Sequence, residues 1–193
     1  MGKGVLIGVK NLHYAVMKTD DGTGATYETP VAIKGVRTID VKPSSGVNTL
    51  YGDDAPYDVA DYLGDIEVTI DTAQMSLTDI GAILGHTVDK GIMDYKSTDT
   101  PPYVAILFES VKSNGKKRFV KLLKGKFSEP EENYQTKETS IKWNTAKIVG
   151  HFVVREYDQA WKRVADEDAA DYAASTGDTW YNSVDTGSAP VSG

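Results

Sequence analysis

From Asp65 to Asp71 the chain reads Asp-Ile-Glu-Val-Thr-Ile-Asp. Ile66, Val68 and Ile70 share one side of an extended strand, while Asp65, Glu67, Thr69 and Asp71 share the other. This period of two predicts a strand with one buried face. Residues Leu12 to Met17 mix apolar and β-favouring types and predict another strand, followed by a turn over Asp20 to Gly24. Val36 to Lys42 predicts a short strand that Pro43 should stop. Tyr103 to Val111 is apolar on both sides, so it should be covered on both faces. Ser113-Asn114-Gly115-Lys116 holds the Asn-Gly pair of a type I′ hairpin turn, after which Arg118 to Phe127 returns antiparallel. Thr139 to Ala146 and Lys147 to Glu156 predict two more strands.

One helix interrupts this pattern. Leu77, Ile80, Ile83 and Leu84 recur at helical spacing, with Ser76 as N-cap, Asp79 in the first turn and Gly85 where a left-handed C-terminal cap belongs. One amphipathic helix among many strands predicts a mainly β fold, a β-sandwich or curled antiparallel sheet with the helix on its flank.

Three segments fit neither period. Residues 43–62 are long and polar, and a loop of that length is usually functional or disordered. Residues 128–132, Ser-Glu-Pro-Glu-Glu, form a short acidic joint. No Lys or Arg follows Arg163, whereas Asp166, Glu167, Asp168, Asp171, Asp178 and Asp185 do. The chain therefore divides into a domain over 1–165 and an acidic C-terminal arm over 166–193. The arm is either solvated and disordered or anchored by Trp180 and Tyr181, and the expected anchor surface is an adjacent subunit.

The 193 residues suffice for one domain with a sizeable core. Absence of cysteine excludes disulfides, thiolate metal sites and a cysteine nucleophile. A net charge of −7 argues against general attraction to nucleic acid or anionic membrane. No apolar run approaches the ~20 residues of a membrane span, and the apolar stretch after Met1 is too short for a secretory signal. The expectation is a soluble domain made in a cytoplasm.

Candidate chemistry is sparse. Asp53, Asp54, Asp58 and Asp61 crowd one region but lack calcium-loop spacing, and read as solvated or partner-facing acids. His13, His86 and His151 have no Ser or Asp at a known catalytic spacing, and no phosphate loop or nucleophile elbow occurs. No catalytic residue, metal or cofactor is expected. Lys112 to Lys126 holds seven bases in fifteen residues. It reads as a nucleic-acid ribbon, as the lysine-guarded solvent face of a hairpin, or as a charged strip for a second copy of the chain. For the third reading the candidates are Lys116, Lys117 and Arg118 against Glu129, Glu131 and Glu132.

Several runs, taken in order, resemble the major tail protein, or tail tube protein, of bacteriophages with long non-contractile tails. They are Ile7-Gly-Val-Lys-Asn-Leu-His-Tyr-Ala15, Asn48-Thr-Leu-Tyr-Gly-Asp-Asp-Ala-Pro-Tyr57, Leu63-Gly-Asp-Ile-Glu-Val-Thr-Ile70, Pro102-Tyr-Val-Ala105, Ser113-Asn-Gly-Lys116 and Gly125-Lys-Phe-Ser-Glu-Pro-Glu-Glu132. The resemblance covers about residues 5–165 and not the arm. It implies a β-sandwich with a flanking helix, six copies to a ring, and rings stacked into a virion tube that conducts DNA into the host. It also implies a tape measure protein in the lumen, terminator and distal tail proteins at the ends, assembly in the host cytoplasm, and no enzymatic step. Under that implication Asp65, Glu67, Thr69 and Asp71 are candidates for a net-negative lumen wall. Asn48, Tyr51, Asp53, Asp54 and Tyr57 are candidates for an inter-ring loop. The competing class is a monomeric β-sandwich that binds a ligand through the long loop and basic hairpin.

Overall fold

A computed structural model describes residues 4–52, 55–132, 134, 136 and 145–185. The elements are β1 (Leu6–Asp21), β2 (Gly24–Tyr27), β3 (Val31–Ile33), β4 (Val36–Gly52), β5 (Ala55–Thr72), α1 (Leu77–Leu84), β6 (Thr87–Asp89), β7 (Ile92–Asp94), β8 (Val104–Lys112), β9 (Lys117–Phe127), β10 (Ala146–Phe152), β11 (Lys162–Asp166) and α2 (Ala174–Thr179). The fold is mainly β. One antiparallel sheet runs β2-β1-β8-β9-β10-β5-β4, with β3 added to β1 and β11 to β9. β6 and β7 form a separate small hairpin.

The sheet curls until β1 and β4, far apart in strand order, approach each other. Its inner face carries Leu12 and Tyr14 of β1, Ile66, Val68 and Ile70 of β5, Ile106 of β8, Leu122 and Phe127 of β9, and Phe152 of β10. The alternation at 65–71 is met, with all three isoleucine and valine side chains buried. Helix α1 closes one flank through Ile83 and Leu84. Ser76 accepts from the Asp79 amide, and Gly85 takes φ 81°, so both caps form as expected. Leu77 departs from the expected apolar face: it begins the first turn and stays exposed.

Glycines permit one tight aromatic packing. Phe152 lies over Gly125 and Phe127 over Gly150, and the two rings meet edge to face at 5.8 Å. A Cβ on Gly125 would stand 2.5 Å from the Phe152 ring.

Three expectations change. Strand β4 passes through Pro43 to Gly52 rather than stopping there. Pro43 is tolerated because β4 is the sheet edge, where no neighbour needs the missing N–H, and the register shifts between Pro43 and Ser45. The hairpin at 112–117 is not type I′, because within the turn only Gly115 takes a positive φ. The Gly115 amide donates to the Lys112 carbonyl, and the Lys112 amide to the Lys116 carbonyl, which is a three-residue loop with a left-handed glycine. β10 ends at Phe152, short of Glu156. Of the strand expected over Thr139 to Ala146, residues 139–144 lie outside the described residues.

Candidate assembly surfaces

The long polar segment at 43–62 is not an irregular loop. It forms the outer part of β4 and β5, paired from Ser45 with Leu63 to Gly52 with Ala55. Asn48, Tyr51 and Tyr57 lie on these strands; Asp53 and Asp54 lie outside the described residues. Gly46 pairs with Tyr62, and the Tyr62 ring crosses the glycine so closely that a Cβ there would sit 2.6 Å away. The ribbon is thus locally consistent. Yet its side chains meet water: Val47 is 66% exposed, Tyr62 52% and Leu63 43%. An isolated two-stranded ribbon is marginal in water.

Nearer the body, the outer face of β4, β5 and β10 carries the predicted stripe, but not as a net-negative wall. Asp65 Oδ2 lies 2.6 Å from His151 Nδ1, Glu67 lies 3.5 Å from Lys42, and Asp71 lies 3.3 Å from Arg37. Thr69 is buried. Register explains the pairing: Lys42 faces Glu67 across β4, and His151 faces Glu67 across β10. The period-two pattern of one strand could not reveal which charges its neighbours bring. The result is a mixed-charge face.

On the other end of the sheet the outer face is covered by the chain's own C-terminal segment. Ala15, Ala105, Leu107 and Leu123 pack under Val184 and Tyr181, which buries β8 on both faces as its sequence requires. Trp180 is 7% exposed and packs on Phe119, with the Lys121 ammonium 4.4 Å from its ring centre. Tyr181 stacks on His13 at 4.4 Å. Tyr172 lies parallel to Phe119 at 6.5 Å. The expected docking of Trp180 on an adjacent subunit is therefore replaced by docking on its own chain. The acids without local bases explain it, because their partners lie in the basic hairpin and around Arg155.

Much of the basic run accordingly finds partners within one molecule. Lys112 is buried and bonds to Asp166 and Asp168. Arg118 bonds to Asp166 at 2.6 Å, and these bonds, Lys112's first, hold the Asp166 carboxyl at about 2. Lys117 pairs with the buried Glu109 at 3.3 Å. Lys124 pairs with Asp20 at 2.6 Å. Lys121 is buried, donates to the carbonyls of Ser183 and Val184, and is pushed down to about 8 by burial and by Arg163. Of the intersubunit candidates, Lys116 stays exposed. Glu129 is exposed but bonds to His86, Glu131 is exposed, and Glu132 accepts from Tyr134.

Two charged centres escaped the sequence reading. Arg155, 0% exposed, donates to Asp158, to both carboxylate oxygens of Asp185 at 2.9 Å, and to the Tyr27 hydroxyl. Arg163 bonds the same two aspartates, closing a ring of two arginines and two acids that fastens the C-terminal segment at Asp185. His86 is held between Asp99 and Glu129, each 2.7 Å from one ring nitrogen. Both nitrogens must donate, so the ring is an imidazolium; its pKa is raised, first by the Asp99 bond. No spacing signal marks either centre, because their members lie up to 128 and 43 positions apart.

Among the described residues there is no group of three metal-ligating side chains, and no helix is long and apolar enough to cross a membrane. Compared with known family models and with curated proteins, the chain matches none.

Proposed function

We propose that this chain is the structural subunit of a phage-type tail tube, built as stacked rings of six copies each. The reading rests on the resemblance of the ordered sequence runs. Among the structural features, the outer β4–β5 ribbon supports it best. A ribbon that exposes Val47, Tyr62 and Leu63 is stabilised when a neighbour covers it. The edge position of β4 supports it too, since a sheet continued across subunits removes an open edge. The lumen in this reading is the outer face of β4, β5 and β10. Its paired charges give DNA phosphates no unbroken basic track, so a duplex passes without being held. A tape measure protein occupies the lumen before DNA does, terminator and distal proteins close the ends, and no chemical step is needed.

The test is microscopy and sedimentation of the concentrated protein. Tubes of uniform diameter with a central channel are expected. A protein that stays monomeric at millimolar concentration overturns the reading in favour of a binding module.

A further inference from the structure

Asn114-Gly115 forms the tip of the β8–β9 hairpin, and both residues are exposed. Gly115 takes φ 79°, and a Cβ built on it would meet nothing within 4 Å, so the peptide between the two is open to water. An asparagine followed by glycine is the pair most prone to spontaneous deamidation, because no Cβ on the next residue shields the attacking peptide nitrogen. In that reaction the Gly115 nitrogen bonds to Cγ of Asn114, the Cγ–Nδ2 bond breaks, and ammonia leaves with the peptide proton. Water then opens the cyclic imide at one carbonyl or the other, which leaves aspartate or isoaspartate at 114. Water is the one co-reactant, and nothing is oxidised or reduced.

The folded chain ties both reacting groups elsewhere. The Gly115 amide donates to the Lys112 carbonyl at 2.9 Å, and Asn114 Nδ2 donates to both carboxylate oxygens of Asp168 at 3.3 Å. Asp168 belongs to the C-terminal segment and is itself bonded to the buried Lys112 at 2.6 Å. We propose that Asn114 is a modification site guarded by the docked C-terminal segment, and that its deamidation frees residues 167–172 from the hairpin. The charges here balance before the reaction, since Asp166 and Asp168 face Lys112 and Arg118. A carboxylate at 114 takes the donor away from Asp168 and sets a third negative charge beside it. Lys116 is exposed, so its attraction for that charge is screened by solvent and salt. The next bonds along the segment follow directly: the Glu167 amide donates to the Lys117 carbonyl, and the Glu167 carboxylate accepts from the Lys117 amide. Loosening of the segment releases Asn114 to react, and the product opposes redocking. An ion pair re-forms after it opens, whereas the hydrolysed imide does not return to the amide, so the release runs one way. This holds whether or not the chain assembles into tubes.

The test incubates the full-length protein and its Asp168→Ala variant in mildly alkaline buffer. Peptide mapping by mass spectrometry follows deamidation at Asn114, with Asn11 and Asn182 as internal references. Asn114 is expected to react first of the three in both proteins, and roughly five- to ten-fold faster in Asp168→Ala, as for loss of a hydrogen bond to a charged group at an exposed site. Hydrogen exchange is then read on deamidated parent protein, enriched by ion exchange, and on Asn114→Asp. The amides of Glu167 and Ala169 should exchange roughly five-fold or more faster than in fresh parent, with those of β8 unchanged. Equal rates at Asn114 in the parent and Asp168→Ala overturn the guarding. Deamidated protein that exchanges like fresh parent over 167–172 overturns the release. An Asn114 that stays intact while Asn11 or Asn182 reacts overturns the site itself. If Asp168→Ala does not fold, Asp168→Asn takes its place, and the exchange comparison on the parent decides the release without either variant.

Discussion

The C-terminal segment and the β4–β5 ribbon look alike in sequence: polar, acidic, poor in bases. In the folded chain they are opposites. The C-terminal segment is bound down on its own sheet by Trp180, Val184, the Lys112 and Arg118 pairs with Asp166, and the Arg155–Arg163 ring around Asp185. The ribbon has backbone pairing along its length and leaves Val47, Tyr62 and Leu63 exposed. The difference lies in where complementary charge sits. Acids of the C-terminal segment meet Lys112 and Arg118 of the hairpin that the topology places beside it, and Arg155 and Arg163 beyond it. The ribbon itself contributes no base, since no Lys or Arg lies between Pro43 and Asp89.

The largest effect that would break this contrast is at Arg155. Arg155→Ala leaves Asp158 and Asp185 to Arg163 alone and takes the guanidinium from the Tyr27 hydroxyl, and breaking this buried network should cost about 3–5 kcal/mol in a denaturant titration. It should also loosen residues 167–185 in hydrogen exchange. A loss below ~1 kcal/mol would mean that the ring does not fasten the segment. Truncation after Ala165 is expected to be nearly as severe, since it bares Leu107 and Leu123 and takes the Ser183 and Val184 carbonyls from Lys121 and Asp185 from Arg155. Soluble, fully stable truncated protein would contradict the packing described.

Trp180→Ala comes next. Removing a buried tryptophan typically costs ~3–5 kcal/mol, and Trp180 keeps 7% of its surface exposed, which should place it at the lower end of that range. Tryptophan fluorescence during unfolding would report it.

Acid and base limits separate the charged centres. Asp166 sits at about 2 against an ordinary value of 3.8, so its contribution is present above ordinary carboxylate pH and lost as pH falls through 2. His86 runs the other way. Its pKa is raised, so its contribution is full below the ordinary imidazole value and disappears as pH rises through the folded value. Stability should therefore decline above neutrality with a slope of at most about 1.4 kcal/mol per pH unit, and His86→Gln should abolish that slope. An unchanged slope in the variant would remove His86 as its source.

Much of the fold was legible before the structure: the strand at 65–71, the doubly buried β8, the hairpin after it, and helix α1 with both caps. These are local periodicities and local caps. The ribbon was missed because Pro43 and the Ser-Gly composition read as breakers, and only the edge position of β4 makes them harmless. Burial of Trp180 was foreseeable as an anchor but not its target, since the target is a sheet face assembled from β1, β8 and β9. The mixed-charge face was hidden for the same reason, because Lys42 and His151 come from other strands.

Ribbon substitutions should have the smallest effect on the monomer and the largest on assembly. Replacing residues 46–62 by Asn-Gly, a two-residue hairpin turn, should leave the denaturation midpoint within about 0.5 kcal/mol of the parent, as for changes away from packed features. Electron microscopy of this variant beside the parent, at equal high concentration, addresses the central claim most directly. Tubes from the parent and none from the shortened ribbon, with equal monomer stability, are expected. Tubes from both proteins would contradict the ribbon's role, and tubes from neither would contradict self-assembly itself.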